Sequence, residues 1–320
     1  MQRSVRRRPW LVPLDFLRGF LIGSAEVVPG VSGGTVALVT GVYDALIDSA
    51  SHVVSGARRL VTGPDRVASA TRELRRTDWL LVLVVLTGMA IAVVTIAGPM
   101  ETFVTEQPEL SRGLFFGLVA VSVAVPLGMM PAAHRPLGVD VGIVAVTAVL
   151  AFFLVGLAGG SGLVGDDPSP VVVFVAAAIA ICALVVPGVS GSFFLLAIGL
   201  YTVTLEAIDE RDLGYIAVFG AGAIVGLASF VQLLRWLLEE RRRTTLLVMA
   251  GLMIGSLRAL WPWQEAPEGA AADEAHGPGA LLAPYDPVAG PLLLALAGAA
   301  VVAVVTMLQS RLGSDDSPQG

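Results

Sequence analysis

The chain has 320 residues, 55% of them hydrophobic and 14% charged, with a mean hydropathy of +0.81. That balance excludes a water-soluble domain and a nucleic-acid-binding protein, and it fits an integral membrane protein with room for about eight to ten crossings. The net charge is −6, all twenty basic residues are Arg, and the single Cys182 excludes an internal disulfide or a Cys-based metal site.

In chain order, Arg6, Arg7 and Arg8 precede apolar residues as in a signal peptide. Asp15 and Arg18 interrupt the apolar run, however, and no small-residue cleavage site follows, so the N-terminus is expected to be retained. Residues 14–47 form an interrupted apolar segment, two arms of about 14 residues flanking the heptapeptide VVPGVSG at 27–33. A long loop at 49–77 leads to ordinary spans near 79–100, 110–129 and 137–157. The Gly-rich stretch 159–165 lacks the lysine of a phosphate loop and reads as a linker. A second interrupted segment, 170–205, carries the same heptapeptide at 185–191, and spans follow near 213–237, 245–261 and 288–308, with an acidic loop at 264–287. At 1.5 Å per residue neither arm of an interrupted segment crosses alone, so each pair reads as a hairpin of two half-helices returning to its side of entry. The expected fold is an all-α polytopic membrane protein.

The duplication extends past the heptapeptide. At an offset of 158, Gly41 matches Gly199 and Tyr43 matches Tyr201. At an offset of 134, residues 78–122 lie on 212–256 without gaps, pairing Gly88 with Gly222 and Gly117 with Gly251. Residues 1–160 and 161–320 are therefore expected to be two repeats, each a re-entrant hairpin plus three spans. Three crossings per half give the halves opposite orientations. The charges agree: with re-entrant hairpins, Arg3, Arg58, Arg72, Arg135, Arg241 and Arg311 fall on one side and Glu106, Asp167, Glu206 and the acidic loop on the other, where only Arg112, Arg211 and Arg258 sit nearby. The arginine side is the cytoplasm, which also holds both termini.

Irregular backbone at membrane depth is tolerated where it lines a cavity or binds something. After each Pro-Gly turn an outgoing half-helix starts, with Ser32, Gly33, Gly34 and Thr35 in one copy and Ser190, Gly191 and Ser192 in the other. A helix start offers unpaired N–H groups and about half a positive charge, and Gly lets a ligand approach the backbone, so two converging starts suit a phosphate or carboxylate. A plain proline kink needs no such small and hydroxylated flanks.

The pattern GxxxGxxEVVPGVSGGTxAxxxGxYDxLI at 19–47, with its second copy ALVVPGVSGSFFLLAIGLY at 183–201, resembles the bacterial DUF368 family of polyprenyl-phosphate (undecaprenyl-phosphate) transporters. The resemblance implies return of the lipid carrier of cell-wall synthesis across the bacterial cytoplasmic membrane. Carried onto this chain, the motif positions are Arg18, Glu26, Pro29, Gly30, Ser32, Gly33, Gly34, Thr35 and Tyr43, then Pro187, Gly188, Ser190, Gly191, Ser192 and Tyr201. The copies differ: Leu184 stands opposite Glu26 and Phe193 opposite Thr35.

Two helix ends supply about one positive charge in total, whereas a phosphate monoester carries about −1.5 to −2 near neutral pH. A further cation or a proton is wanted. Arg18 is the basic candidate, within about 80° of Glu26 on one helical face, and cytoplasmic headgroups are its competing partner. Glu26 is the acid beside a tip and the candidate for proton coupling. Tyr43 and Tyr201 read equally as interfacial anchors or lipid-tail contacts. His52, His134 and His276 are expected at the surface, at spacings that make no metal site. The competing functions are a secondary transporter or channel for a small soluble anion and, without an HExxH or GxSxG motif, a lipid phosphatase.

Overall fold

The structure, a computed structural model, describes residues 11–26, 32–62, 65–132, 136–157, 168–188, 191–265 and 279–314. Among them the regular structure is helical, apart from an isolated bridge between Gln264 and Leu281. The first half contains α1 (Val12–Glu26), α2 (Gly33–Val39), α3 (Tyr43–Val61), α4 (Arg66–Leu74), α5 (Trp79–Glu106), α6 (Pro108–Ser122), α7 (Ala124–Gly128) and α8 (Leu137–Leu157). The second contains α9 (Pro170–Val185), α10 (Gly191–Ile198), α11 (Leu200–Asp209), α12 (Leu213–Glu240), α13 (Arg242–Ser256), a 3-10 turn (Leu257–Leu260) and α14 (Ala289–Ser314).

Six stretches among the described residues are long and apolar enough to cross a bilayer: Trp79–Ile96, Pro108–Gly128, Leu137–Gly156, Leu213–Glu240, Arg242–Leu260 and Ala289–Met307. Their outer faces expose Leu83, Val94, Phe153, Ile224 and Leu296, which fits lipid as the solvent. The protein is a multi-pass, all-α membrane protein. Asp78 and Asp212 start α5 and α12 alike, each carboxylate accepting backbone N–H groups of the first turn.

Four helix pairs build the body, and each closes over glycine. Gly88 of α5 lies against the Phe16 carbonyl of α1, and Gly222 of α12 against the Phe174 carbonyl of α9, so closely that a Cβ on either glycine would overlap that oxygen. Gly117 of α6 meets Ala295 of α14, and Gly251 of α13 meets Val144 and Thr147 of α8. With lipid outside, close backbone approach over small residues is how helices gain packing energy. In the last two pairs a helix from one half of the sequence packs on a helix from the other.

Four elements depart from expectation. The outgoing arms are shorter than 14 residues, because Gly41 and Gly199 take left-handed φ angles of +73° and +83° and end α2 and α10 after seven and eight residues. The stretch 49–77 is largely helical rather than a loop. The span near 110–129 breaks at Val123: α6 and α7 meet there, because Pro126 has no N–H to continue the ladder. The span near 245–261 tightens to a 3-10 turn in its last residues.

His52 is a correction. It is 7% exposed rather than superficial, its Nδ1 3.0 Å from Glu73 Oε2 and its Nε2 3.6 Å from Asp48. The amphipathic helices α3 and α4 fold on each other and enclose it. Burial pushes the Glu73 carboxyl up, but the His52 hydrogen bond and the charges of Arg59 and Arg76 outweigh it and hold Glu73 below its ordinary range. His134, His276 and the 159–165 stretch lie outside the described residues.

Candidate functional site

The two helix breaks meet. α2 packs back on α1 and α10 on α9, and Gly191 sits close enough to Ala180, eleven residues earlier, that a Cβ would come 2.5 Å from its carbonyl oxygen. A continuous helix would put those residues about 16 Å apart, so the chain reverses at the second break. α2 also touches α9, which brings the first break onto the second.

Hydrogen bonds join them. The Gly188 N–H donates to Thr35 Oγ1 at 3.1 Å, the Tyr43 hydroxyl donates to the Val185 carbonyl at 3.0 Å, and the Ser32 hydroxyl donates to the Val186 carbonyl at a long 3.4 Å. Ser32 and Thr35 are buried, as is Tyr43. A Cβ on Gly34 would come 2.9 Å from the Val185 oxygen, so this approach of backbone to backbone requires glycine. Gly188, at φ +83°, lies flat on α13, where a Cβ would come 2.6 Å from Met253 Cα. Because α13 is the most enclosed of the six spans, the second break rests on the molecule's central helix.

Glu26 closes α1 and reaches the start of α2: its Oε1 accepts the Gly33 N–H at 3.0 Å. A Cβ on Gly33 would overlap that oxygen. The carboxylate thus occupies the first free donor of the outgoing half-helix, a position with favourable electrostatics for an anion. Leu184, opposite Glu26 in the repeat, offers α10 no such group.

Arg18 is not brought to this junction. It pairs at 2.8 Å with Asp15, which is 1% exposed, and eight residues of α1 separate it from Glu26, about 12 Å along the axis. Pro187 is buried beside Gly188, and Ser192 follows Gly191 in α10. Pro29, Gly30 and Ser190 lie outside the described residues. Tyr43, which the sequence left between two membrane roles, is instead a strut between the breaks. Tyr201 packs with Ala176, Ala180 and Leu195 around α10. A cavity of about 360 Å³ between the starts of α9 and α12 and the helix α11 is lined by Glu206, Glu210 and Asp212, a charge unsuited to phosphate. No group of His, Cys, Asp and Glu suited to a metal ion occurs among the described residues.

A family model described as "VCA0040-like: Undecaprenyl phosphate translocase-like" matches residues 22–277, which include both breaks. The chain belongs to this family. It is 33% identical over 250 residues to a protein of Vibrio cholerae serotype O1 (strain ATCC 39315 / El Tor Inaba N16961) named polyprenyl-phosphate transporter, covering 78% of each chain. A protein of the same name from Staphylococcus aureus (strain NCTC 8325 / PS 47) is 25% identical over 262 residues, which is 78% of this chain and 86% of that one. No solved structure matches. The family is the one that the DUF368 resemblance named, and the matched stretch of this chain spans both Pro-Gly-Val-Ser-Gly segments.

Proposed function

We propose that this protein is a polyprenyl-phosphate translocase that returns the undecaprenyl-phosphate-type lipid carrier across the bacterial cytoplasmic membrane, with its phosphate held where the two breaks meet. The observation that carries the reading is the junction itself: two irregular backbones, joined by Thr35, Tyr43 and Ser32 inside a membrane protein whose relatives are named polyprenyl-phosphate transporters. Irregular backbone at that depth is kept where it serves a substrate. The hairpins are re-entrant and the halves inverted, a reading supported by the equivalent contacts Gly88 to Phe16 and Gly222 to Phe174. The termini face the cytoplasm.

In this reading Glu26 and the headgroup compete for the Gly33 N–H. Loading phosphate beside an ionised Glu26 would set two anions against about one positive charge of helix dipole, so Glu26 leaves or takes up a proton when the lipid binds. Proton uptake by Glu26 on loading and release toward the cytoplasm would couple the inward step to the proton gradient.

The test is reconstitution with labelled polyprenyl phosphate, scoring leaflet position, release of inorganic phosphate and uptake of free phosphate. The expected result is protein-dependent movement of intact lipid phosphate between leaflets. Uptake of free phosphate without lipid movement would establish the small-anion transporter or channel instead, and phosphate release would establish a phosphatase.

A further inference from the structure

We infer that Arg258 is the cationic contact for the phosphomonoester headgroup, filling the place that Arg18 does not reach. The inference rests on the lipid-phosphate reading above and adds a residue that the repeated motif does not contain.

Four arginines at the ends of spans are matched by carboxylates. Arg18 faces Asp15, Arg235 faces Asp48 and Glu239, Arg242 faces Asp44, and Arg243 faces Asp140. Arg258, in the 3-10 turn after α13, is half-buried and has no carboxylate partner among the described residues. Its Nε is buried without a hydrogen-bond partner. Its guanidinium lies 4.6 Å over the Phe152 ring of α8, and Nη1 makes one long contact of 3.5 Å to the Phe152 carbonyl. A C-terminal helix cap would satisfy the last carbonyls of α8 at ordinary hydrogen-bond length. One contact of 3.5 Å does not. A charge kept in an apolar wall without a counter-ion is functional by default.

The seat is built for the charge rather than incidental to it. Gly156 leaves the space the guanidinium fills, since a Cβ there would overlap it. The Gln264 amide donates to the carbonyls of Arg258, Ala259 and Trp261, at 3.1, 3.1 and 2.7 Å, which fixes the turn that carries the arginine. Position relative to the junction also fits. Gly188 of the second break lies on Met253, and Arg258 follows five residues later, about 8 Å along the same helical stretch. It stands on the side of the junction that the arginine distribution assigns to the exterior, where the lipid phosphate is collected. Phosphate oxygens approaching between α8 and the 3-10 turn meet a planar donor group that holds one long contact and no counter-ion among the described residues.

The experiment measures binding of three lipids of one chain length to the purified full chain in nanodiscs: polyprenyl phosphate, its methyl phosphodiester and the uncharged polyprenol. For R258Q the expected loss is roughly ten- to hundredfold for the monoester, the range of a charge-assisted hydrogen bond. It should be smaller for the singly charged diester and absent for polyprenol. R258K, which keeps the charge, should retain the ranking of monoester over diester even if R258Q does not fold. Equal losses of all three lipids, no loss in R258Q, or an R258K protein that does not rank the esters would each overturn the inference. Inorganic phosphate should compete at least tenfold more weakly than the lipid, and equal affinity would overturn assignment to a lipid headgroup. A parent protein that binds no polyprenyl phosphate would sink the transport reading together with this one, whereas a binding parent matched by R258Q sinks the arginine alone.

Discussion

The first break acts through side chains and the second through backbone. Ser32, Thr35 and Tyr43 all come from the first copy, and across the junction they meet the Val185 and Val186 carbonyls and the Gly188 N–H of the second, while Glu26 bonds Gly33 within its own copy. Where the second copy has lost polar residues, with Leu184 and Phe193 in place of Glu26 and Thr35, its main chain supplies the partners. A duplicated motif can therefore diverge without weakening the contact between its copies, because each copy needs only one half of the hydrogen-bonding chemistry.

The most complete way to break this comparison is topological. Single cysteines at Ser69 and Arg211, in a Cys182→Ala background, should label from opposite faces of intact cells, Ser69 from inside and Arg211 from outside. Labelling from one face removes the inverted relation of the copies.

Next in size is Gly34→Val. Its Cβ would press on the Val185 carbonyl, which is backbone and has little room to yield, so the breaks should part and leaflet exchange fall at least tenfold while the protein still inserts. Exchange at the parent rate would mean that the approach of the two backbones is dispensable.

Glu26→Gln keeps a polar group near Gly33 but cannot ionise. It should still exchange lipid phosphate at equilibrium and lose acceleration by an inward proton gradient, which in a coupled parent is worth up to about tenfold per pH unit for one proton. A gradient response equal to the parent's in proteoliposomes would remove Glu26 from the coupling role.

The smallest effect is Tyr43→Phe. It deletes one neutral hydrogen bond and leaves the buried ring, so thermal unfolding should report a loss of about 1 kcal/mol, with exchange reduced severalfold. No measurable loss of stability or exchange would make Tyr43 an ordinary core residue.

Much of this molecule was legible because its signals are local. Asp78 and Asp212 start helices, Gly41 and Gly199 end them, and the heptapeptides mark the breaks. Arg18 was misplaced for a local reason too: Asp15, three residues back on the same helix face, is a nearer partner than a phosphate eight residues ahead. His52 reads as superficial because composition alone makes 49–77 a loop. Its burial depends on α4 folding across α3, a tertiary event that composition does not announce. Pro126 could have revealed the break in the second span. The meeting of the two tips, and Arg258 seated over Phe152, join residues more than 100 positions apart, and pattern along one chain carries no such pairing.

The exchange of partners between the halves sets the timing of biogenesis. α6 is complete at Ser122, but the helix that covers its Gly113 and Gly117 face begins at Ala289. At synthesis rates of about 5–20 residues per second, that face waits roughly 10 to 30 s in the membrane for its partner. The first half therefore cannot mature as it emerges from the ribosome. A nascent chain halted between α13 and α14 would present a groove of bare glycine backbone to the bilayer, the surface that membrane quality control would be expected to recognise.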